Sequence, residues 1–365
     1  MTPETTTQNP WGASGGAPPL AANDAPASAP QIADRTYRHY DGPLKSRGAA
    51  RWWVVALATI RANLRKPTFW IPAGLVVLSY VIHALLLYFL RDQMEQMGAD
   101  ASLIPGQKTI FRDTLWRGLT WTWLPLFLVA LVAGSGSLAA DNRANALLVY
   151  LSKPLTKTDY LVGKWVGVFV LLAAVSVAPA VLTFLFMLAA YNSEGFLQNN
   201  PWLFPRLLAA ALIPALLHTS IVIGLSAWSK SPRVVGATYA GLFFVTLIVS
   251  DAAGYILLNS LPKNNPDVDT RPALLAQSLS VPGLVNNVGL HLYRVDPTLL
   301  GQQRRRPRRR NRNGGPPSPP PPADPPTYTL KRPPLAPLLA FGGALIVLSV
   351  FAARAKIRAV EVVSG

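Results

Sequence analysis

The main pattern along the chain is a set of six long, almost uncharged runs separated by polar segments. They cover residues 69–90, 118–140, 165–191, 207–228, 234–258 and 334–353. A helix rises about 1.5 Å per residue and the hydrocarbon core of a bilayer is about 30 Å thick, so each run is long enough to cross it. The pattern therefore predicts an all-α membrane protein with six transmembrane helices.

Two shorter patterns precede the first run. Residues 1–48 are rich in Ala, Pro, Thr, Gly and Ser and show no sustained apolar period, which predicts a disordered tail. Residues 51–66 mix tryptophan and aliphatic side chains with Arg61, Arg65 and Lys66. This mixture is typical of an amphipathic helix that lies in the plane of the membrane interface.

The distribution of Lys and Arg predicts the orientation of the spans. With the amino terminus inside, the short inner flanks hold thirteen basic residues, whereas the short outer loops 91–117 and 192–206 hold five. Basic residues concentrate in short cytoplasmic flanks, so both termini and the tail are expected in the cytoplasm. Tryptophan residues at the ends of the runs mark the level of the headgroups.

This arrangement makes residues 260–333 a long extracytoplasmic loop. Its apolar stretch 274–293 is expected to form one or two short helices, either against the outer face or re-entering the membrane. Its basic and proline-rich arm, 303–326, is expected to be extended. Residues 49–259 then hold the interfacial helix and the first five spans, and residues 334–365 hold the sixth span and a cytoplasmic tail.

Composition excludes several classes of site. Half of the 365 residues are hydrophobic, 14% are charged and none is cysteine, so disulfides and thiolate metal sites are impossible. The net charge of +17 is concentrated at the predicted membrane edges and in the arginine block of the arm. That block has no interleaved aromatic residues for base stacking, which argues against nucleic acid. It is either a solvated linker or a contact for anionic groups of the cell envelope, such as lipid headgroups.

Motifs for catalysis and nucleotide binding are missing. The sequence has no GxxxxGK[ST] phosphate loop, no HExxH and no GxSxG, so neither a catalytic residue nor a metal site is predicted. The cluster Gly134-Ser135-Gly136-Ser137 consists of small residues, which permit close packing of helices.

Three ionisable residues lie inside the predicted spans, namely His83, His218 and Asp251. Such residues are costly in lipid unless they are paired or wetted, so they are candidates for a proton or cation path. His218 and Asp251 are expected at similar heights if their helices are antiparallel neighbours. The alternatives are neutral histidines bonded to a neighbouring helix and an aspartate close to the outer interface.

The loop between the second and third runs is the most informative segment. Asp141 or Asn142 can cap the start of a helix. The side chains of Leu147, Leu148 and Leu151 then fall on one stripe, which predicts a short amphipathic helix.

The second half of this loop leads into the third span. Pro154 ends the short helix because proline lacks an N–H group. Thr158 or Asp159 can cap the next helix, and Gly163 allows that helix to begin close to a neighbour.

This loop resembles the corresponding loop in permease subunits of type 2 ATP-binding-cassette (ABC) transporters, in the branch of the nitrous-oxide-reductase maturation permease. The family pattern runs from an acidic pair and a basic residue, through a leucine-rich stretch, to Leu-Ser-Arg-Pro and Leu-Gly-Lys. The residues that match it are Asp141, Arg143, Leu147, Tyr150, Leu151, Ser152, Lys153, Pro154, Lys157, Asp159, Tyr160, Gly163 and Lys164.

The resemblance covers roughly residues 50–300 and 335–365, and the ending 356–365 is similar to the family's tail. The chain departs from the pattern at two positions of the loop. Ala140 replaces the second acid, which weakens an acidic contact, and Asn145 replaces a common glycine. Asparagine tolerates a left-handed backbone, so the turn is expected to persist.

The resemblance implies that the loop docks on a separate ATPase subunit, which binds ATP and Mg and moves the spans. This chain would then be the permease of an exporter in a bacterial plasma membrane, with no cofactor of its own and a second permease copy as partner, in contact with membrane lipid. The coupling residues would be Asp141, Arg143, Leu147, Leu148, Tyr150, Leu151, Lys153, Pro154, Lys157, Asp159, Gly163 and Lys164. From spacing alone, the loop is equally well a solvated turn.

Two other functions fit the same six spans. One is a secondary transporter driven by an ion gradient through His218 and Asp251. The other is a membrane anchor of a cell-envelope complex, in which the basic arm reaches a partner.

Overall fold

A computed structural model describes residues 51–96, 107–146, 155–262, 268–295 and 330–356. These residues form helices and no strand, so the predicted all-α class is confirmed. The predicted tail 1–48 and the arm 303–326 lie outside the described residues. The helices are α1 (Arg51–Leu64), α2 (Pro67–Gln96), α3 (Gln107–Trp121), α4 (Trp123–Gly134), α5 (Ala139–Arg143), α6 (Lys157–Tyr191), α7 (Phe196–Asn199), α8 (Leu203–Ala227), α9 (Pro232–Ser260), α10 (Arg271–Gln277), α11 (Val281–Leu292) and α12 (Leu335–Lys356).

Among the described residues, six segments are long and apolar enough to cross a membrane. They are Pro67–Gln93, Trp123–Arg143, Lys157–Tyr191, Leu203–Ala227, Pro232–Ser260 and Leu335–Lys356. The predicted number of spans is confirmed, and the chain is a multi-pass membrane protein.

The second span differs from the sequence prediction, which placed one helix over 118–140. The structure instead has α3 ending at Trp121 and α4 beginning at Trp123. Pro125 explains the break, because it has no N–H for the carbonyl of Trp121, and its ring would clash with that carbonyl in a continuous helix. As a result α3 is a separate helix, most of it within the predicted outer loop 91–117.

Helix α8 occupies the centre of the bundle. In the most apolar 18-residue stretch of α8, 72% of the residues are buried, compared with 17% in α9 and 6% in α12. It packs against α4, α6, α11 and α12. The outer helices present apolar side chains such as Ile248 and Phe351 away from the bundle. Such faces are stable in lipid, which removes the need for a polar outer surface.

The stretch 274–293 forms most of α10 and all of α11 and packs into the bundle. Asn287 fixes this helical hairpin, because its Nδ2 donates to the carbonyl of Leu274 at 2.8 Å and to Oγ of Ser278 at 2.7 Å. Helix α11 also lies against α3, where a Cβ on Gly289 would be 3.1 Å from the ring of Trp116. The hairpin is therefore packed among the other helices of the bundle.

Helix α6 connects the two ends of the bundle. It has 35 residues, so it is about 50 Å long. Its first turns lie beside Asp141, and its last residue, Tyr191, lies under the guanidinium of Arg91. We call these the Asp141 end and the Arg112 end, since Arg112 bonds to Asn200 in the connection that follows α6.

Helix α1 packs directly on the first turns of α6. A Cβ on Gly163 would lie 2.5 Å from the carbonyl oxygen of Trp52 and 2.6 Å from Cβ of Val55. The predicted role of Gly163 in a close approach is thus confirmed, and the neighbour is α1. At Gly167 a Cβ would lie 2.8 Å from the carbonyl oxygen of Ala56, so the close contact continues along α1.

We expect Gly163→Ala to destabilise the protein by about 1–3 kcal/mol, because the added methyl forces α1 away from α6. This loss opposes the usual gain of about 1 kcal/mol when alanine replaces glycine in a helix. Gly241→Ala is the matched control, since nothing lies within 4 Å of its Cβ. Thermal unfolding in detergent should show a lower midpoint for Gly163→Ala only. An equal midpoint for both variants would contradict the packing.

Candidate functional site

The second span is interrupted at residues 135–138, and a serine of α8 holds the gap. The hydroxyl of Ser226 accepts the N–H groups of Leu138 and Ala139, both at 3.0 Å, and donates to the carbonyl of Ser135 at 3.0 Å. Close packing of the small-residue cluster is confirmed at Gly134, where a Cβ would lie 2.2 Å from Val222. Backbone groups that the broken helix cannot satisfy are therefore bonded by one side chain.

Asp141 follows this gap, in α5, and its carboxylate joins the second span to the third. Its Oδ2 accepts a hydrogen bond of 2.7 Å from the hydroxyl of Tyr160 and forms a 2.8 Å ion pair with Nζ of Lys164. Tyr160 is fully buried, and the two charged side chains are only 19% and 12% exposed. Hydrogen bonds to a charged group in such a site are among the stronger ones in proteins.

Asn142 caps the carboxyl-terminal end of α8. Its Nδ2 donates to the carbonyl oxygens of Ala227 at 3.1 Å and Ser229 at 3.3 Å. The sequence prediction that Asp141 or Asn142 starts a helix was wrong, since both lie inside α5. The side chains instead satisfy groups on neighbouring helices, which a local pattern cannot reveal.

Asn145 adopts the left-handed backbone expected of it, with φ of 51°. The turn that glycine usually makes is therefore preserved. Arg143 lies just before this turn and is exposed. The next residues of the predicted coupling set lie outside the described residues, and they are Leu147, Leu148, Tyr150, Leu151, Lys153 and Pro154.

The third span begins with a capping box. The cap is Thr156, and not Thr158 or Asp159 as the sequence suggested. Oγ1 of Thr156 accepts the N–H of Asp159 at 3.0 Å, while the Asp159 carboxylate accepts the N–H of Thr156 at 3.2 Å. Asp159 is thus engaged in its own helix terminus, whereas Lys157 beside it is exposed.

Helix α1 adds polar groups to the same end. Nδ2 of Asn63 donates to the carbonyls of Thr59 at 3.0 Å and of Ala133 at 3.5 Å, and Nζ of Lys66 donates to Oδ1 of Asn63 at 2.9 Å. Burial and the positive charge of Lys164 lower the pKa of Lys66. We refer to Asn63, Lys66, Asp141, Tyr160 and Lys164 as the Asp141 joint.

The two intramembrane histidines bond within the bundle. Nδ1 of His218 lies 2.5 Å from the hydroxyl of Tyr239 on α9, and both side chains are buried. Nδ1 of His83 lies 2.7 Å from the carbonyl of Ser79 in its own helix, and its ring packs edge-on against Trp121.

Asp251 does not join these histidines. Its side chain is exposed, and it lies twelve residues after Tyr239 on α9, which corresponds to about 18 Å along the helix. Asp251 and His218 are therefore at different heights, unlike the sequence expectation. The expectation rested on the two helices being neighbours. The depth of a residue in the membrane, however, depends on its position along its own helix.

The Asp141 joint connects helices through hydrogen bonds and one ion pair. Within the described ranges, no three His, Asp or Glu side chains converge on a possible metal position. The carboxylate of Asp141 holds α5 to α6, Asn63 bonds α1 to the carbonyl of Ala133 on α4, and Asn142 ties α5 to α8. The segments on both sides of the loop are therefore bonded to neighbouring helices.

Sequence reasoning missed the groups that complete this site. Ser226 and Asn63 are polar residues in apolar surroundings, which is the signal that could have identified them. Their partners are backbone groups far away in sequence, and only the fold brings these together.

A family model described as "ABC-2 family transporter protein" matches residues 53–298. No curated protein matches the chain significantly. The match spans more than half of the chain and includes the Asp141 joint and the first five spans. The chain belongs to the ABC-2 transporter family, as a membrane permease of an ABC transporter.

Proposed function

We propose that this chain is the permease subunit of an ABC exporter that is driven by a separate ATPase subunit through the 141–164 loop. The observation that carries this proposal is the Asp141 joint, which fixes both flanks of the loop to each other. A loop with tied flanks transmits force to its helices, whereas a free solvated turn would absorb it.

The contacts around the loop suggest how the motion spreads. The flank before the loop is bonded to α8 by Asn142 and Ser226. The flank after it packs on α1 through Gly163. A push by the ATPase would therefore move α5, α6, α8 and α1 as one body.

The chemistry of ATP belongs to the partner in this proposal. The ABC-2 family supplies the membrane component of transport and is not itself catalytic. The chain also lacks a phosphate-loop motif. ATP and Mg would bind to the ATPase subunit. This chain would supply the transport path through the membrane and the loop that couples it to the ATPase.

The charges of the bundle support a cytoplasmic position for the Asp141 end. Exposed basic side chains on this side follow the rule that short cytoplasmic flanks are rich in Lys and Arg. They are Arg61, Arg65, Arg143, Lys157, Lys230, Arg233, Arg354 and Lys356. We place both termini in the cytoplasm and the chain in the plasma membrane of a bacterium.

A second permease copy is the expected partner within the membrane. The outer helices α9 and α12 expose apolar side chains over most of their length. These faces fit either lipid or a second copy, and an ATPase pair would require two permeases to drive. We therefore propose a homodimer surrounded by lipid.

The two other functions have less support. An ion path through His218 and Asp251 would need a connection over the helical distance that separates them, and His218 already bonds to Tyr239. A passive anchor would not require tied loop flanks.

We expect Lys164→Met to weaken recovery of the ATPase subunit when the tagged chain is purified from native membranes. The variant leaves the partly buried carboxylate of Asp141 without its ion pair, at a cost of about 1–3 kcal/mol. The measurement is the ratio of ATPase to permease in the purified complex, with a thermal midpoint to confirm folding.

The control is Lys230→Met, which removes an exposed lysine at the same end. The double variant Asp141→Asn with Lys164→Met should recover part of the loss, because it removes the stranded charge as well. If Lys164→Met retained as much ATPase as Lys230→Met, the role of the joint in coupling would be refuted.

The orientation can be tested by cysteine labelling, because the native chain has no cysteine. In intact spheroplasts, a membrane-impermeant maleimide should label Gly315→Cys. It should label Lys157→Cys only after the membrane is permeabilised. Labelling in the reverse order would overturn the proposed topology.

A further inference from the structure

A small cavity at the Arg112 end is surrounded by positive charge. Its volume is about 150 Å³. Its polar and aromatic lining consists of Arg112, Asn199, Asn200, Trp202, Arg206 and Arg294. The three arginines come from α3, α8 and the end of α11, so segments distant in sequence bring their cationic side chains to one place.

Arg112 is held rigidly at this cavity. Its Nε donates to Oδ1 of Asn200 at 2.7 Å, and one terminal nitrogen donates to the carbonyl of Asn199 at 3.4 Å. Asn200 is buried and donates in turn to the carbonyl of Phe196 at 3.1 Å. A guanidinium has five N–H donors, so donors remain for a ligand.

The positive charges are poorly compensated. In the described part of the chain, no carboxylate forms an ion pair with Arg112, Arg206 or Arg294. Burial lowers the pKa of Arg112, the charge of Arg294 lowers it further, and Asp113 acts in the opposite direction. Like charges around one cavity repel, and a bound anion would remove this cost.

Arg294 occupies a backbone conformation that favours glycine. Its φ is 56°, just after the end of α11. At this position of a helix terminus glycine is common, and another residue costs about 1–2 kcal/mol. An arginine kept there despite that cost points to a use for its side chain.

We propose that the cavity of Arg112, Arg206 and Arg294 binds a phosphate group, carried by an anionic phospholipid or free in solution. The planar forks of arginine match the oxygens of phosphate. The cavity is smaller than the roughly 300–1,000 Å³ of typical ligand pockets, so it fits a headgroup better than a whole ligand. Trp202, 67% exposed at the cavity, has the amphipathic ring that is common at headgroup level.

Arg294→Gly is the decisive variant, because it removes the charge and relieves the backbone. Its thermal midpoint should equal or exceed that of the wild type, whereas its affinity for the phosphate group should fall about tenfold or more. Arg206→Gln should show a similar loss of affinity. Arg233→Gln, an exposed arginine at the Asp141 end, should bind like the wild type.

Two measurements on the full chain distinguish the source of the phosphate. Native mass spectrometry compares retention of phosphatidylglycerol and phosphatidylcholine, and calorimetry in detergent titrates inorganic phosphate. Selective loss of phosphatidylglycerol in both cavity variants identifies a lipid, whereas loss of inorganic phosphate binding with unchanged retention of both lipids identifies a free anion. Binding that is unchanged in both variants, or an equal loss of both lipids, overturns the proposal. Binding is measured without ATP, so the outcome is independent of the proposed transport function.

Discussion

The requirement that every backbone polar group in a membrane be bonded controls the Asp141 end of this protein. Each unsatisfied group in hydrocarbon costs several kcal/mol. The second span is broken at residues 135–138, and Ser226 bonds two N–H groups and one carbonyl there. Ser226 stabilises the gap from α8, and α5 after the gap places Asp141 against Tyr160 and Lys164. The joint therefore depends on a serine in another span.

Charged residues at this position carry a cost in free energy. Two partly buried charges lose hydration, and apolar residues of similar size often give equal or greater stability. The ion pair and the tyrosine hydrogen bond, however, can form in only one register of α5 against α6. Apolar side chains would allow the two helices to slide past one another. The geometry of Asp141, with both partners on one oxygen, fits the connection of fixed register that the proposed coupling requires.

The number of spans was predictable because apolar length alone decides whether a helix can cross lipid. The left-handed turn at Asn145 was predictable because it depends on the intrinsic preference of one residue. The break at Pro125 was visible in the sequence but was overridden by hydropathy, which does not distinguish one helix from two. The partners of Asn142, Ser226 and Arg112 were not predictable, since each contact joins segments more than eighty residues apart.

The two ends of the bundle differ in how their charges are arranged, and α6 joins them. At the Asp141 end the carboxylate satisfies a lysine, whereas at the Arg112 end three arginines share a cavity. Pro179 removes one backbone hydrogen bond between these ends, so α6 bends most easily there. The helix runs from Lys164 past this flexible point to Tyr191, whose ring lies under the guanidinium of Arg91 at the arginine-rich end. A continuous helix with one weak position thus connects the site where force would enter to the site where an anion would bind.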